Sequence, residues 1–275
     1  MDEGHSTGGD TRGTRGIVER RDARGHYEEL AAEYDEHWVY GPDYVPWMSG
    51  RIAEALQLGP TDRIADIGSG TGLFAKEVAR QVQPRRPLLC VDPSEAMLRW
   101  LGTPPPPDLT PVVASAEDIA EGRAHLPYEQ LDAMWLKESV HHVADPARTL
   151  QGLSDQLAPG GRLLVVMLPA TIQYPLFSAA LDRFEELQPA PAAIERHLRA
   201  AGLQAELTHV EHELRIGRDK YLGMVRARYM SLLSTFSDSE IEKGVEEMRI
   251  AHPEPVLVFP DRFAFILGQR GSEDA

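Results

Sequence analysis

Short apolar runs alternate with amphipathic stretches through the middle of the chain, between residues 61 and 168. Each apolar run has the length of a buried strand, and each amphipathic stretch repeats its apolar positions every three or four residues, as a helix does. The predicted strands are "RIADIG", "PLLCVD", "LTPVVAS", "LDAMWLK" and, after its turn, "PGGRLLVVML". Strands that alternate with helices predict an α/β fold with a mainly parallel sheet and helices on both faces.

The pattern changes on both sides of this region. Residues 22–60 predict two helices, which we interpret as a lid, and residues 169–275 predict extra helices and two closing strands, "AELTHVEHELRI" and "DRFAFILGQR". The extra helices do not fit a simple sheet repeat, so we expect them to form a cap over the strand ends. Residues 1–21 are rich in Gly, Thr and charge and predict a disordered leader without a secretory signal. We therefore predict a single domain over residues 22–275.

Composition excludes several kinds of partner. The 275 residues carry a net charge of −15, which argues against general binding to nucleic acid or to an anionic membrane. The single cysteine, Cys90, excludes an intrachain disulfide and a multi-cysteine metal site, and it suits a reducing cytoplasm. No apolar run approaches the roughly 20 residues that a transmembrane helix needs. We expect a cytoplasmic protein without a bound metal, and the sequence does not indicate its oligomeric state.

The stretch "ADIGSGTG", residues 65–72, follows the first predicted strand of the sheet. Its three alternate glycines let the backbone come close to a ligand, at the sheet edge where open α/β folds bind their ligands. Asp92 ends the next strand about twenty residues further on, where it can accept hydrogen bonds from ribose hydroxyls. Leu73 stands where a dinucleotide-binding dehydrogenase would have its third glycine, which disfavours that class.

Three further segments appear in the same order as in a known family: "SAED", "LDAMWLKESVHHVADPARTL" and "LAPGGRLLVV". With the glycine loop, they make the chain resemble the class I S-adenosylmethionine-dependent methyltransferases that act on small molecules. The resemblance covers residues 61–168, which would form the cofactor-binding half. It implies a Rossmann-like, mostly parallel seven-stranded sheet, S-adenosylmethionine as cofactor and transfer of its methyl group to a small acceptor.

The resemblance also implies which residues contact the cofactor. The methionine part would face Asp66, Gly68 and Gly70, the ribose would bind Asp92, and the adenine would lie beside Ala116 and Glu117. An aromatic lid suits a cationic sulfonium, and Tyr34 and Trp38 on the first predicted helix are candidates for it. The alternatives are core packing for these aromatic residues, a loop-capping role for Asp66 and a helix cap for Asp92.

Lys137 and Glu138 end the fourth predicted strand, which in the family faces the transferring methyl. Neighbouring residues on a strand point to opposite faces, so both reach the site only if the strand ends there. Glu138 is the candidate general base, since desolvation would raise its pKa, and a surface ion pair with Lys137 is the alternative. His141 is a candidate second base or acceptor contact, or has a structural role. The adjacent histidines lack the spacing of metal ligands.

The segment "RIGRDKYLGMVRAR", residues 215–228, is basic within an acidic chain. Helical spacing predicts that Arg226 lies on the apolar, inward side, where its charge needs an anion. That anion would be a carboxylate such as Glu185, Glu186 or Glu138, or else an anionic group of the acceptor. The candidate acceptor-binding residues are Lys220, Tyr221, Arg226 and Tyr229.

A cation, a carboxylate and apolar neighbours at one site resemble the methyltransferases that methylate a carbon of prenyl diphosphates such as isopentenyl diphosphate. The sequence therefore suggests a role in isoprenoid or natural product biosynthesis. Oxygen or nitrogen methylation of a small carboxylic acid or phenol is the alternative within the family. Outside it, the alternatives are a nucleotide-binding dehydrogenase and a non-catalytic protein that binds the cofactor.

Overall fold

The computed structural model describes residues 41–272, whose central feature is a seven-stranded sheet in the order β3-β2-β1-β4-β5-β7-β6. Strands β1 to β5 are parallel, and β7 runs antiparallel to both β5 and β6. The strands are β1 (Ile64–Ile67), β2 (Leu88–Asp92), β3 (Leu109–Val113), β4 (Leu131–Lys137), β5 (Leu157–Met167), β6 (Gln204–Gly217) and β7 (Val256–Gln269). This confirms the predicted Rossmann-like α/β fold.

Helices fill the connections between the strands. The α-helices are α1 (Tyr44–Ala55), α2 (Leu73–Val82), α3 (Glu95–Leu98), α4 (Ala116–Ala120), α5 (Pro146–Asp155), α6 (Ser178–Leu187), α7 (Pro191–Ala200), α8 (Arg218–Arg226) and α9 (Asp238–Ala251). Short 3-10 helices span Arg99–Leu101, Val140–His142 and Ser231–Thr235. Helix α1 corresponds to the second predicted lid helix.

Both faces of the sheet are buried, which explains why its strands are apolar at successive positions. Every residue of β1 and β2 is buried. On β4, Trp135 packs into the core cluster that includes Met48 of α1, whereas Met134 and Leu136 pack into the cluster on the opposite face. Since strand side chains alternate, Lys137 has the same parity as Trp135 and belongs to the face covered by α1.

The β6–β7 hairpin extends past the carboxyl edge of the parallel strands. Pairing of β7 with β5 stops at Ala264, which lies opposite Met167. Pairing of β7 with β6 continues to Val256, which lies opposite Gly217. Helices α8 and α9 are inserted between these two strands, and the buried residues of both helices join the core cluster on the α1 face. The extension therefore brings part of β7 beyond the strand ends, where ligands bind in such folds.

The spacing of apolar residues in "KYLGMVRARYMSLLSTF" predicts one long helix, and the structure shows that this prediction is wrong. Helix α8 ends at Arg226, Arg228 has a left-handed backbone with φ of 55°, and the chain resumes in the 3-10 helix Ser231–Thr235. A left-handed residue stops the helical hydrogen-bond pattern. The predicted leader, the first lid helix and its aromatic residues Tyr34 and Trp38 lie outside the described residues, and the single-domain organisation stays a prediction.

Candidate active site

The glycine loop between β1 and α2 is built from left-handed backbone. Gly68, Gly70 and Gly72 have φ values of 77°, 56° and 73°. The amides of Gly68 and Ser69 both donate to the carbonyl of Val91, at 2.7 and 2.9 Å, which ties the loop to β2. A side chain at position 68 would meet Ser139, since a Cβ added there would lie 2.6 Å from the Ser139 Cβ. The loop therefore needs glycine for both conformation and space.

Asp92 links the glycine loop to the end of β2. Its Oδ2 accepts a hydrogen bond from the Gly70 amide at 2.9 Å, and its Oδ1 accepts one from the Ser94 amide at 2.8 Å. The side chain is buried, although each carboxylate oxygen has a second lone pair. Asp92 thus holds the glycine loop and the turn after β2 in place, in line with the alternative that it caps the following helix. Its binding of ribose hydroxyls stays a prediction.

Ala116 and Glu117 open helix α4, beside the carboxyl end of β3. Ser115 and Asp118 form a capping box there, with the Ser115 hydroxyl accepting from the Asp118 amide and the Asp118 carboxylate accepting from the Ser115 amide. Glu117 accepts a hydrogen bond from the Ala144 amide at 3.2 Å, which joins this turn to the segment after the Val140–His142 helix. Their contact with an adenine stays a prediction.

A cleft opens where the glycine loop meets the end of β4. Its lining residues are Asp66, Gly68, Ser69, Gly70, Thr71, Leu73, Phe74, Lys137 and Glu138. Asp66 is buried, and burial together with the nearby Asp92 charge raises the pKa of its carboxyl well above the usual range. Lys137 opposes that shift. The structure thus brings together three of the predicted cofactor residues and two of the predicted catalytic residues.

Glu138 reaches the cleft because β4 ends at Lys137. Glu138 has a left-handed backbone with φ of 51°, which breaks the strand alternation and lets consecutive side chains line one cleft. Its Oε1 accepts a hydrogen bond from the Leu168 amide at 2.7 Å. Burial raises the pKa of this carboxyl to about 7, against the opposing effects of Lys137 and that hydrogen bond. A carboxyl with this pKa can take up or release a proton near neutral pH.

Comparison with known proteins identifies the region around this cleft. Residues 65–165 match the family model described as a methyltransferase domain. This stretch is a class I S-adenosylmethionine-dependent methyltransferase domain. The cofactor prediction is confirmed at the level of the family.

The curated relatives match about half of the chain. The chain is 33% identical over 125 residues to a protein-L-isoaspartate O-methyltransferase of Roseiflexus castenholzii, an alignment that covers 44% of this chain and 50% of the relative. It is 29% identical over 151 residues to the ubiquinone/menaquinone biosynthesis C-methyltransferase UbiE of Geobacter sulfurreducens, covering 52% of this chain and 56% of the relative. The chain therefore spans about half the length of the curated relatives that it matches.

A solved structure shows the same fold over more of the chain. Phosphoethanolamine N-methyltransferase 2 of Haemonchus contortus, in complex with S-adenosyl-L-methionine, superposes with a TM-score of 0.58 at 15% identity. The match covers 89% of this chain and 57% of that one. At this identity, the likeness concerns the fold and not the acceptor.

The cleft of the methyltransferase domain has features that fit the family's cofactor. The Ser69 hydroxyl is buried and has no hydrogen-bond partner among residues 41–272, although Ser69 lines the cleft. A buried polar atom without a partner is costly, so a polar ligand at this position would stabilise the loop. The loop carries no lysine, as expected for a cofactor without a pyrophosphate.

His141 lies near Lys137, which lines the cleft, and its ring packs against that of His142. Burial lowers the pKa of its imidazole well below the usual range, and the nearby His142 and Lys137 lower it further, so the ring is neutral at pH 7. Its Nδ1 has no hydrogen-bond partner within the described part of the chain. A neutral ring can accept a proton or a hydrogen bond, and its role as a second base stays a prediction.

Asp261 of β7 is a buried carboxylate that sequence reasoning missed, and its charge acts on Lys137 and Glu138 of the cleft. Its carboxylate is fully buried and accepts hydrogen bonds from the hydroxyl of Tyr44, at 2.9 Å, and from that of Tyr174. Burial raises the pKa of Asp261 to about 6, against the effect of these two donors and of Lys137. The sequence held one signal for it. Phe259, Asp261 and Phe263 are two residues apart on one strand and therefore share a face, and that face is otherwise apolar.

The expectation that Arg226 lies on the inward side of its helix is wrong, while contact with the acceptor stays a prediction. Arg226 is exposed and forms a forked ion pair with Glu242 of α9, at 2.9 and 3.2 Å. The buried positions of α8 are Tyr221, Leu222, Met224 and Val225, so Arg226 falls just outside the buried arc. Its partner is also none of the three glutamates that the sequence suggested.

The other predicted acceptor residues divide in the same way. Lys220 is exposed on α8, which removes it from the cleft. Tyr221 and Tyr229 are buried, and their hydroxyls lie 3.0 Å apart. Burial raises the pKa of Tyr229, so its phenol stays protonated. Only the two tyrosines of this predicted set therefore lie in the interior.

Two further observations concern partners. Within residues 41–272, no three His, Cys, Asp or Glu side chains are grouped so that they could hold a metal ion. None of the helices described here has the length and apolarity to cross a membrane. The predicted absence of a resident metal stays a prediction.

Proposed function

We propose that this chain transfers the methyl group of S-adenosylmethionine to a small acceptor and that Glu138 is its general base. The observation that carries the proposal is a carboxyl with a pKa of about 7 in the cleft that the glycine loop also lines. A base with a pKa near the working pH is partly ionised and still basic enough to accept a proton.

The residues of the cleft divide the chemistry between them. When bound, the cofactor supplies an electrophilic methyl group on a positively charged sulfur. The glycine loop and Asp92 would hold it, and the Asp66 carboxyl would lie at its methionine end. Glu138 would accept the proton that the acceptor loses as its new bond to the methyl carbon forms. Lys137, beside Glu138, favours the ionised form of that carboxyl.

The finer proposal is carbon methylation of a small prenyl diphosphate such as isopentenyl diphosphate. Methylation of an alkene leaves a carbocation, which needs a nearby base to restore a double bond and aromatic faces to stabilise the charge. Glu138 supplies the base, and the Phe74 ring lines the same cleft. The UbiE relative is named as a C-methyltransferase.

The structure weakens the anion-binding part of this proposal. The basic segment 215–228 was its main support, and Arg226 pairs with Glu242 instead. Lys137 is the only cation among the described residues that line the cleft. A diphosphate would therefore depend on Lys137, which has three carboxyls as electrostatic partners already.

A phenol is the second candidate acceptor. Its hydroxyl must lose a proton when the oxygen attacks the methyl group, which the same base would perform. The isoaspartate relative is named as an O-methyltransferase, so oxygen acceptors occur among similar proteins. A carboxylic acid acceptor needs no base, since it is ionised at neutral pH. The match of residues 65–165 to a methyltransferase domain argues against the dehydrogenase alternative.

The test is methyl transfer from the labelled cofactor to a panel of acceptors. The panel contains isopentenyl diphosphate, its monophosphate, its free alcohol, simple phenols and small carboxylic acids. We expect Glu138→Gln to slow labelling by a factor of roughly 10²–10⁴. Asp132→Asn, which breaks the ion pair with Arg63 at the other end of β4, should retain it. Equal labelling of alcohol and diphosphate would exclude an anion requirement. Cofactor binding without labelling of any acceptor would favour a non-catalytic protein. Small-molecule partners and a cytoplasmic location stay predictions.

A further inference from the structure

The Lys137 side chain ends against two aromatic rings. Its ammonium nitrogen lies 4.5 Å from the centre of the Phe74 ring and 5.2 Å from the centre of the Phe263 ring. Both distances fall within the roughly 6 Å over which an aromatic face attracts a cation. Phe74 belongs to α2 and Phe263 to β7, so two elements that are distant in sequence form this two-ring site. The chain's own ammonium occupies it.

The two-ring site faces the cleft. Lys137 and Phe74 both line it, and Phe263 is buried. Aromatic faces of this kind bind organic ammonium groups, because the negative face of the ring attracts their charge. While Lys137 is in place, a second ammonium group would need the same space and would meet a like charge. Repulsion between like charges is stronger in a partly buried setting than in water.

The carboxyls that line the cleft do little to offset a further positive charge. Burial raises the pKa of Glu138 to about 7, so this carboxyl is only partly ionised at neutral pH. Burial also raises the pKa of Asp66 well above its usual range, which favours the protonated form. The cofactor, when bound, brings a positive charge at its sulfur. A cationic acceptor would therefore add a third positive charge, after those of Lys137 and the cofactor.

We propose that Lys137 determines acceptor specificity, because its ammonium occupies the two-ring site and excludes acceptors that carry a positive charge. This inference deepens the proposed function and rests on it for the presence of an acceptor in this cleft. It names the acceptor class as neutral or anionic and excludes protonated and quaternary amines. Since Lys137 already lies over the Phe74 ring, that ring is less able to stabilise a carbocation. Of the two candidate acceptors, the phenol therefore fits this cleft better than the alkene.

The test compares choline with 3,3-dimethylbutan-1-ol, a neutral analogue of the same shape with carbon in place of the charged nitrogen. Binding of each compound to the full chain, saturated with S-adenosylhomocysteine, is measured by ligand-observed NMR. The unmodified chain should bind choline at least about tenfold more weakly than the analogue, because of one like-charge contact in a partly buried site. Lys137→Ala vacates the two rings and should bind choline at least about tenfold more tightly than the unmodified chain does. Its affinity for the analogue should stay within a few-fold.

Three further variants separate the two-ring site from a simple charge effect. Lys137→Arg keeps the positive charge and should still exclude choline. Phe263→Leu, added to Lys137→Ala, removes one ring but keeps an apolar side chain, so most of the gain in choline affinity should be lost while the affinity for the analogue stays the same. Lys243→Ala removes an exposed lysine of α9 and is the matched control, with no change expected for either compound.

Equal, measurable binding of choline and the analogue by the unmodified chain would overturn the inference, and this result does not depend on any variant folding. A Lys137→Ala chain that gains no affinity for choline would also overturn it. A gain that survives loss of the Phe263 ring would do the same, since charge repulsion alone would then explain it. If neither compound binds the unmodified chain, the Lys137→Ala comparison decides. A chain that excludes choline yet transfers no methyl group to any acceptor would refute the proposed function alone.

Discussion

The two walls of the cleft are built by different means. On the cofactor wall, backbone amides of the glycine loop bond to Val91 and Asp92, which lie on the neighbouring strand 22 or 23 residues further along. On the opposite wall are Lys137 and Glu138. Their charges interact with Asp261, a buried carboxylate whose side-chain bonds reach 87 and 217 residues along the chain. Local backbone geometry fixes the first wall, and long-range side-chain contacts fix the second.

This difference separates what the domain shares from what is particular to this chain. The family match begins at residue 65 and ends at residue 165, so it includes the glycine loop, Asp92, Lys137 and Glu138 but not Tyr174 or Asp261. The cofactor wall, Lys137 and Glu138 thus lie within the matched part of the domain, whereas the partners of Asp261 lie outside it. We propose that the opposite wall, from here on the acceptor wall, contacts the acceptor. Acceptor choice should then follow the hairpin extension behind it, which lies outside the matched region.

The largest effect should come from the acceptor wall. Glu138→Gln keeps the shape of the side chain and removes its basicity, so turnover should fall by a factor of roughly 10²–10⁴. Binding of S-adenosylhomocysteine, measured by calorimetry, should stay within a few-fold. Glu77→Gln, which changes a partly exposed glutamate on α2, is the control and should leave turnover unchanged. A Glu138→Gln variant with near-normal turnover would contradict the assignment of the base.

The next effect should come from the cofactor wall. Asp92→Ala removes the acceptor for the Gly70 amide and for the predicted ribose hydroxyls. The affinity for S-adenosylhomocysteine should fall by about 2–3 kcal/mol, which is the range for a lost hydrogen bond to a charged group. Glu95→Ala, an exposed residue of α3 paired with Arg99, should not change it. An unchanged dissociation constant for S-adenosylhomocysteine in Asp92→Ala would mean that the ribose binds elsewhere. The wall formed by the glycine loop and Asp92 would then not be the cofactor wall.

The pH dependence tests the acceptor wall without a mutation. Glu138 must be ionised to accept a proton, and its pKa is raised to about 7. Turnover should therefore be highest above pH 7 and fall about tenfold for each pH unit well below it. The measurement is kcat against pH at saturating cofactor. A profile that stays flat from pH 8 to about pH 5 would mean that a group with an ordinary carboxyl pKa, or none, limits the reaction.

The smallest effect should come from the basic segment outside both walls. The Arg226 and Glu242 side chains are 41% and 60% exposed, so their ion pair contributes little. Arg226→Ala should change the free energy of unfolding by less than about 1 kcal/mol and leave the KM for the acceptor unchanged. Arg249→Ala on α9, whose ion pair is similarly exposed, is the matched control. A rise in the KM for the acceptor in Arg226→Ala but not in Arg249→Ala would mean that Arg226 binds the acceptor.

Residues near one another in sequence were predicted well. The strand–loop–helix pattern around the glycines placed Asp66, Gly68, Gly70 and Asp92 at one edge of the sheet, where the structure also places them. The end of β4 was predicted to bring Lys137 and Glu138 to the same edge, and both line the cleft. Hydrophobic periodicity and glycine spacing are local signals, so one sequence is enough to read them.

Residues whose roles depend on packing were predicted less well. Arg226 was placed inward by a periodicity that ran through Tyr229 and Leu233, but the left-handed Arg228 ends the helix pattern before either of them. Arg226 instead pairs with Glu242 on α9, and residue spacing within the sequence does not predict that contact. Asp261 stood in a strand that was correctly predicted, yet nothing local indicated its tyrosine partners.

The sequence by itself determined the order of the strands and helices, the glycine loop and the carboxylates at the ends of β2 and β4. These features depend on steric limits of the backbone and on burial patterns that repeat within a few residues. Only the tertiary structure decided which charges are buried together, because β7 must cross the sheet edge before Asp261 meets Tyr44 and Tyr174. Burial then sets the proton affinity of Glu138, since the cost of a buried charge depends on every group packed around it.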